Sequence, residues 1–244
     1  MSEFIKYEFD WGILFTEPYS QILIEGIRFT LLIFFVSSLA SLLLGTGISI
    51  LRTSRVRVFQ WFGKLYVRVF QSIPILFWLL FFYYIFPELL PSSLGVRLNT
   101  YYYYPVAVSI VGLTLDNASY ISDTLRGGKL LIPQTQRDVA IATGLNRVQQ
   151  YMYVLLPQMF RLMLPPLGTR MVHNFKNTTL CMAITAPELM WSTQQIESLT
   201  FKGVETIIFA TVFYVSLSII MASIVIFLER RMKIDAASII QARS

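Results

Sequence analysis

Three long segments of the sequence contain no charged residue: Phe29–Leu51, Val69–Pro87 and Thr206–Leu228. A helix needs about 20 mostly apolar residues to cross the hydrocarbon core of a membrane, so each segment predicts a span. The composition agrees, since 55% of the residues are hydrophobic and only 14% are charged, whereas an average soluble domain is roughly 25% charged. These properties argue against a soluble enzyme, a disordered chain and a nucleic-acid-binding domain.

Two further spans are predicted from weaker signals. Leu98–Leu115 is uncharged and is expected to continue past Asp116. The fifth span, Leu167–Leu189, is the least apolar because it contains three basic or titratable residues, namely Arg170, His173 and Lys176. The sequence therefore predicts an all-α integral membrane protein with five transmembrane helices.

The distribution of lysine and arginine predicts the orientation, because cytoplasmic loops carry an excess of these residues. Segments 52–68, 122–161 and 229–244 hold five, five and four of the 20 basic residues and together four acidic ones. Segments 1–28, 88–100 and 188–205 hold four basic and nine acidic residues. Three loops on each side require five crossings, with the N-terminus outside and the C-terminus in the cytoplasm.

Residues that could carry covalent chemistry are scarce. The chain has one cysteine, Cys181, and one histidine, His173, and it contains no histidine–glutamate zinc motif. It also lacks the G-x-x-x-x-G-K-[ST] loop that binds nucleotide phosphates. We therefore expect no catalytic residue, no metal site and no cofactor, and we interpret the chain as a protein that is not an enzyme.

The cytoplasmic segment 122–158 is too long for a simple turn and predicts two short helices separated by a glycine. Thr135 is expected to cap the first helix, with Asp138 three residues later as its partner. Gly144 fits the position just after that helix, where a left-handed backbone disfavours residues with a Cβ atom.

The second short helix has its own predicted start and end. Asn146 is expected to cap it, with Gln149 three residues later as the reciprocal partner. Pro157 is expected to stop this helix or to bend it into the next span. A helix–glycine–helix element of this kind could also be a plain structural connector.

The motifs along the chain resemble those of bacterial ABC importer permeases for polar amino acids, from about Gly26 to Arg230. In chain order the matching strings are Gln71-Ser-Ile-Pro74, Asn117 to Gly128, Gln136 to Leu145, Leu155-Leu-Pro157-Gln158 and Lys176-Asn-Thr-Thr-Leu180. Short strings at Trp11-Gly, Leu51-Arg-Thr and Pro87-Glu-Leu-Leu-Pro91 look most like glutamate/aspartate permeases. Three positions depart from the family pattern: Gln71 replaces arginine, Asp138 replaces glutamate and Val139 replaces alanine.

The resemblance implies the ABC type-1 permease fold, with a cytoplasmic coupling helix that sits in a groove of a separate ATPase. It carries the ATPase-coupling role to Gln136, Asp138, Ala140, Gly144 and Leu145. It also implies a set of partners: two ABC ATPase subunits, a periplasmic solute-binding protein and a second permease subunit in a homo- or heterodimer. The implied cargo is a polar amino acid, with glutamate or aspartate favoured, and the implied location is the bacterial inner membrane.

The resemblance to ABC importer permeases predicts a division of the chain into three parts. Residues 1–25 are expected to be a periplasmic N-terminal segment, 26–230 the transmembrane permease domain, and 231–244 a cytoplasmic tail. The lipid bilayer is an expected partner, whereas nucleic acid is not.

Polar residues in or beside the predicted spans Leu98–Leu115 and Leu167–Leu189 are candidates for the substrate path. Charges in a membrane usually face an interior or a water-filled cavity. The candidates are Asp116, Asn117, His173, Lys176, Asn177 and Thr178. The alternative is that these residues hold helices or subunits together. The tyrosines at 101–104 are expected to form an interfacial aromatic belt, with a stacking site for a ligand as the alternative.

Two other questions stay open at this level. The small residues Ser37, Ser41, Gly45 and Ser49 recur every four positions, and this helix face could pack within the chain or against a partner subunit. The function could also be that of an ion-coupled carrier, an integral membrane enzyme or a structural membrane subunit that transports nothing.

Overall fold

The computed structural model of the protein describes residues 8–231, and within that range every regular element is helical. The α-helices are α1 (Tyr19–Thr53), α2 (Arg57–Ser72), α3 (Ile75–Leu80), α4 (Ser92–Asn99), α5 (Tyr104–Leu131), α6 (Gln134–Ala142), α7 (Arg147–Gln149), α8 (Leu156–Leu162), α9 (Leu164–Asn177), α10 (Leu189–Thr200) and α11 (Gly203–Arg231). Short 3₁₀ segments cover Trp11–Phe15, Pro87–Leu89 and Thr178–Ile184, and π-helical turns cover Phe81–Ile85 and Gln150–Leu155.

Two of the helices in residues 8–231, α1 and α11, are long and apolar enough to cross a membrane. A third span results if α2 and the helical stretch Ile75–Ile85 are taken together, although they are bent by 100°. The predicted spans Phe29–Leu51 and Thr206–Leu228 lie inside α1 and α11.

The predicted span Val69–Pro87 is not one straight helix. α2 ends at Ser72, and Ile73 has extended backbone angles (φ −117°, ψ 128°). Ile73 precedes Pro74, whose ring disfavours the helical conformation for the residue before it. Hydropathy averages over such a break, which is why the uncharged segment by itself predicts one continuous span.

The two spans predicted from weaker signals, Leu98–Leu115 and Leu167–Leu189, also differ in detail from the helices. α5 starts at Tyr104 rather than near Leu98, but it continues past Asp116 as predicted. α9 has 14 residues, which at about 1.5 Å per residue is shorter than the roughly 30 Å hydrocarbon core. It passes into a 3₁₀ segment, so the predicted span Leu167–Leu189 is not a single α-helix.

The chain divides into two compact units, built from alternating stretches of sequence. The first contains the described residues 8–36, 76–112 and 176–217. Its buried residues include Glu188 and Tyr214, described below. The second contains 37–75, 113–175 and 218–231. One of its apolar clusters comprises Ile121, Leu125, Ile132, Tyr151, Leu155, Met159 and Leu167.

In the second unit, the small-residue face of α1 packs within the chain. Ser37, Ser41 and Ser49 are completely buried. A Cβ atom at Gly45 would lie only 2.8 Å from the carbonyl oxygen of Ala118. This face therefore serves the close approach of α5, which answers the question that the sequence left open.

The division into an N-terminal segment, a permease domain and a tail stays a prediction. The proposed boundary between 25 and 26 falls inside α1. Apart from residue 231, the predicted tail lies outside the described residues.

Candidate functional site

The predicted coupling element exists as the helix–glycine–helix segment α6–Gly144–α7, but its first cap differs from the prediction. Pro133 is the N-terminal flanking residue of α6 and no side chain caps this end. The prediction of Thr135 as the cap is therefore wrong, because the fixed backbone of Pro133 starts the helix earlier. Asp138 instead accepts a hydrogen bond from Nε2 of Gln134 at 3.2 Å.

Gly144 ends α6 in the predicted left-handed conformation, with φ of +76°. Its N–H donates to the carbonyl oxygen of Ile141 at 3.0 Å. No atom would lie within 4 Å of a Cβ atom at this position. The requirement for glycine is therefore conformational rather than steric.

The second helix has the predicted reciprocal cap. The N–H of Asn146 donates to Oε1 of Gln149 at 2.9 Å, and the N–H of Gln149 donates to Oδ1 of Asn146 at 3.0 Å. Two backbone donors that helix ends leave without an intrahelical partner are satisfied in this way.

Pro157 does not stop this second helix. The chain passes through the π-helical turn Gln150–Leu155 into α8, with Pro157 in the first turn of α8. The N–H of Leu156 donates to the carbonyl oxygen of Tyr151, one residue further back than in an α-helix. A proline has no N–H to donate, so the wider turn absorbs the missing bond and the helix continues.

The five predicted coupling residues lie in different environments. Gln136, Asp138 and Gly144 are exposed, and Leu145 is partly buried. Ala140 is only 4% exposed and faces the protein itself. Its neighbours in sequence, Val139 and Ile141, are instead 61% and 59% exposed.

Beside this element, Tyr151 belongs to the buried apolar cluster of the second unit. Burial raises the pKa of its phenol above the ordinary value. The ammonium group of Lys129 lies 5.6 Å from the centre of the Tyr151 ring. This contact links the end of α5 to the segment after α7.

A carboxylate in the second unit connects α1, α2 and α5. Oδ1 of Asp123 accepts from Nη1 of Arg52 at 2.7 Å, and its Oδ2 accepts from Nε2 of Gln71 at 3.0 Å. Arg126, one turn along α5, has its Nε 3.8 Å from Oδ1. Gln71, which departs from the family pattern, thus joins the cluster as a neutral donor.

Of the substrate-path candidates in the second unit, Asp116 and Asn117 are buried and His173 is exposed. Nδ2 of Asn117 donates to Oγ of Ser41 at 2.9 Å, and Nη2 of Arg170 lies 3.4 Å from Oδ1 of Asn117. These bonds tie α5 to α1 and α9, in agreement with the packing alternative for Asn117.

Two residues that the sequence analysis did not select contribute to this packing. The guanidinium of Arg170 lies 3.8 Å from the centre of the Tyr120 ring. Nδ2 of Asn174 donates to Oγ of both Ser37 and Ser38, at 2.9 Å each. The available signal was the one that selected the other candidates, a charged or polar side chain within a predicted span. In the part of the chain that the structure describes, no histidine, cysteine and carboxylate side chains group as a metal site requires.

The remaining candidates belong to the first unit. Lys176 is exposed, Asn177 is partly buried and Thr178 is completely buried. Oγ1 of Thr178 lies 3.4 Å from the hydroxyl oxygen of Tyr214. The structure therefore exposes the Lys176 side chain and packs that of Thr178.

Glu188 is a buried polar centre that sequence analysis missed. Its oxygens accept hydrogen bonds from the N–H groups of Met190 and Trp191 at 2.9 and 2.8 Å, so the side chain caps α10. The hydroxyl of Tyr214 also donates to it, at 3.0 Å. An acidic residue at the start of a helix was the available signal.

The tyrosines at 101–104 divide into two kinds. Tyr101, Tyr102 and Tyr103 are exposed, whereas Tyr104 is buried, with its hydroxyl donating to the carbonyl oxygen of Phe82 at 2.6 Å. The rings of Tyr104 and Tyr83 stack with centres 5.5 Å apart. Both rings line a cavity of about 440 Å³ that also contains Glu88. Tyr104 is therefore a packing residue, while the aromatic belt formed by the other three tyrosines stays a prediction.

Comparisons with known proteins agree with the resemblance of the motifs. Residues 37–234 match the family described as the inner membrane component of binding-protein-dependent transport systems. Over 232 residues the chain is 33% identical to the glutamate/aspartate import permease protein GltK of Escherichia coli O6:H1, covering 92% of this chain and 99% of GltK. Over 227 residues it is 30% identical to the glutamine transport system permease protein GlnP of Escherichia coli strain K12, covering 93% and 99%.

Solved structures share the fold. A chain of an amino acid ABC transporter crystallised with histidines superposes with a TM-score of 0.76 at 21% identity, covering 92% of this chain and all of that one. A chain of the inward-facing MetNI methionine ABC transporter gives a TM-score of 0.65 at 19% identity, covering 89% and 97%. The family match and the two permease relatives show that this chain belongs to the family of inner membrane components of binding-protein-dependent transport systems, the permeases of ABC importers.

Proposed function

We propose that the chain is the membrane permease of an ABC importer that moves a polar amino acid across the bacterial inner membrane. The observation that carries this proposal is the 33% identity to GltK over 99% of the length of that protein. The cargo that this relative favours is glutamate or aspartate, while the 30% identity to GlnP makes glutamine the competing substrate. Transport is by alternating access, with energy from two separate ATPase subunits.

The proposed arrangement has five crossings, an outside N-terminus and a cytoplasmic C-terminus. The asymmetric distribution of lysine and arginine supports it. A periplasmic solute-binding protein and a second permease subunit complete the importer. Residues 26–230 form the transport domain between the periplasmic segment and the cytoplasmic tail.

The segment α6–Gly144 is the proposed contact with the ATPase. Large apolar side chains at Val139 and Ile141 are exposed on this short helix, and exposed apolar groups of this kind indicate a surface covered in the assembly. Gln136 and Asp138 supply the accessible polar groups, and Gly144 and Leu145 form the turn. Ala140 supports the helix from its buried side.

Asp116, Asn117, His173, Lys176, Asn177 and Thr178 stay proposed as residues near the substrate path. The exposure of His173 and Lys176 supports contact with an aqueous pathway. Asn117 and Thr178 are packed, so their contribution is to hold the helices that carry the exposed groups.

The cargo is tested by uptake of labelled glutamate, aspartate, glutamine, arginine and histidine in a strain that lacks the importer, with and without a plasmid that restores it. We expect plasmid-dependent uptake of glutamate and aspartate, inhibited by the unlabelled compounds. Uptake of arginine or histidine alone would reject the acidic cargo. Absence of any amino-acid uptake, with the importer present in the membrane, would reject the function.

The coupling role is tested with Gly144→Val in the importer reconstituted in liposomes. We expect at least about a tenfold fall in substrate moved per ATP hydrolysed, because a β-branched residue strongly disfavours φ of +76°. Gly127→Ala is the matched control, since Gly127 is also exposed and has no neighbouring atom within 4 Å of a Cβ position. A normal ratio in Gly144→Val would reject the coupling role.

A further inference from the structure

Helix α2 has a side that binds the rest of its unit. Gly63 and Val67 are buried, and Val67 packs with Ile48 and Ala118. The hydroxyl of Tyr66 donates to the carbonyl oxygen of Leu115 at 2.7 Å. These contacts fix the rotation of α2 about its own axis and determine which side chains point outward.

The outward side is lined with large apolar residues. Val58, Phe62, Leu65 and Val69 follow each other at steps of four, three and four positions, which places them in one stripe of the helix. All four are exposed, and Phe62 has 56% of its surface accessible. Trp61, 58% exposed, lies at the edge of this stripe.

A basic stripe runs next to the apolar one. Arg57, Lys64 and Arg68 are exposed and lie at steps of seven and four positions, so they share one line along the helix. The sequence of α2 contains no aspartate or glutamate that could neutralise them. The helix thus has three strips: one buried, one exposed and apolar, and one exposed and cationic.

An exposed apolar strip beside a cationic strip is the pattern of a helix that lies in the plane of a membrane interface. The cationic strip attracts anionic groups at the depth where the apolar strip ends, and phosphate groups of anionic lipids lie at that depth. α2 ends at Ser72, and the extended Ile73 before Pro74 separates it from the next helical stretch as a distinct element.

We propose that α2 is an interfacial helix that binds anionic phospholipid headgroups of the cytoplasmic leaflet through Arg57, Lys64 and Arg68, with Val58, Phe62, Leu65 and Val69 inserted among the acyl chains. The assignment to the cytoplasmic leaflet rests on the orientation in the proposed function, in which the second crossing then begins after Pro74 rather than at Val69. The lipid contact itself requires no cargo and no ATPase, so its test is independent of transport.

The depth of the apolar strip is measured with a nitroxide attached through Leu65→Cys in a Cys181→Ser background, with the full chain in lipid nanodiscs. Cys181, which is buried, is the only cysteine in the sequence. Because it is replaced, the label can attach only at Leu65→Cys. We expect the label to be accessible to oxygen and shielded from a water-soluble nickel chelate. A label at the exposed Gln134→Cys is the control and should show the reverse.

The headgroup preference is measured with spin-labelled phosphatidylglycerol and phosphatidylcholine competing for the protein surface. The variant Arg57→Gln/Lys64→Gln/Arg68→Gln should lose about threefold or more of the preference for phosphatidylglycerol. Arg57→Lys/Arg68→Lys keeps the charge and should keep the preference. If the triple variant does not fold, the depth measurement decides the test. The Leu65→Cys variant used for it has no change of charge.

Three results would overturn the proposal. Exposure of the Leu65→Cys label to the nickel chelate would place the strip in water. Shielding from both oxygen and nickel would show that a protein partner covers the strip. An unchanged lipid preference in a folded triple variant would remove the role of the basic stripe.

Discussion

Gln71 and Asp123 are joined by a hydrogen bond of 3.0 Å from Nε2 to Oδ2. The other oxygen of Asp123 forms an ion pair with Arg52, whose side chain is only 8% exposed. The carboxylate of Asp123 already faces the guanidinium groups of Arg52 and Arg126. A neutral amide therefore connects α2 to the cluster without adding a third positive charge.

This cluster predicts unequal and non-additive effects of substitution. Asp123→Ala should lower the free energy of unfolding by about 2 kcal/mol, because Arg52 stays buried without its partner while Asp123 is itself partly solvated. Gln71→Leu should cost about 1 kcal/mol. In the double variant the cost should equal that of Asp123→Ala alone, measured by reversible unfolding in mixed micelles. Fully additive costs would show that Gln71 does not act through Asp123.

Gly45 and Gly47 form a matched pair on α1. Gly45→Ala should destabilise the protein by about 1–3 kcal/mol, because the new Cβ would lie 2.8 Å from the Ala118 carbonyl oxygen and from Ile121. Gly47 has open space around the same position, so Gly47→Ala should be neutral or stabilise by up to about 1 kcal/mol. Thermal unfolding of the two variants in the same detergent compares them. Equal effects would contradict the close approach of α5 at Gly45.

The reciprocal cap at Asn146 and Gln149 predicts a local effect. Asn146→Ala removes the acceptor of the Gln149 N–H and should cost about 1 kcal/mol of helix stability. Hydrogen exchange of the Gln149 amide should be faster by about fivefold, while exchange in α5 stays unchanged. Asn146→Ser should restore most of the protection, since serine is also a good cap. Unaltered exchange in Asn146→Ala would mean that another group satisfies this amide.

The buried network around Glu188 predicts a cost for the loss of one hydroxyl group. Tyr214→Phe removes the donor to Glu188 and should lower the free energy of unfolding by about 1–2 kcal/mol. Tyr83→Phe is the control, because the Tyr83 hydroxyl faces Thr185 at 3.3 Å in an exposed position, and it should change stability by less than about 0.5 kcal/mol. Chemical unfolding of both variants gives the comparison. An equal cost for the two would contradict a special role of the buried carboxylate.

Much of this protein could be predicted from features that act locally along the chain. The helical class and the spans within α1 and α11 followed from the absence of charge over long stretches, because lipid excludes charged side chains whatever the fold. Gly144 and the pair Asn146–Gln149 were predicted correctly because a left-handed turn and a helix cap depend on residues only a few positions apart. The family motifs also predicted the permease class, which the comparisons confirmed.

Other features depend on which distant segments meet, and the linear sequence does not contain that information in a local form. The burial of the serine face of α1, the hydrogen bond from Tyr214 to Glu188 and the partnership of Arg170 with Tyr120 all join groups that lie far apart in the sequence. Local rules also failed where two of them competed: at Pro133, proline overrode the cap expected from Thr135, and at Pro74 a break interrupted a hydrophobic stretch. Hydrophobicity and capping chemistry thus determined what kind of elements this chain forms, whereas only packing decided which polar side chains are exposed and which hold the helices together.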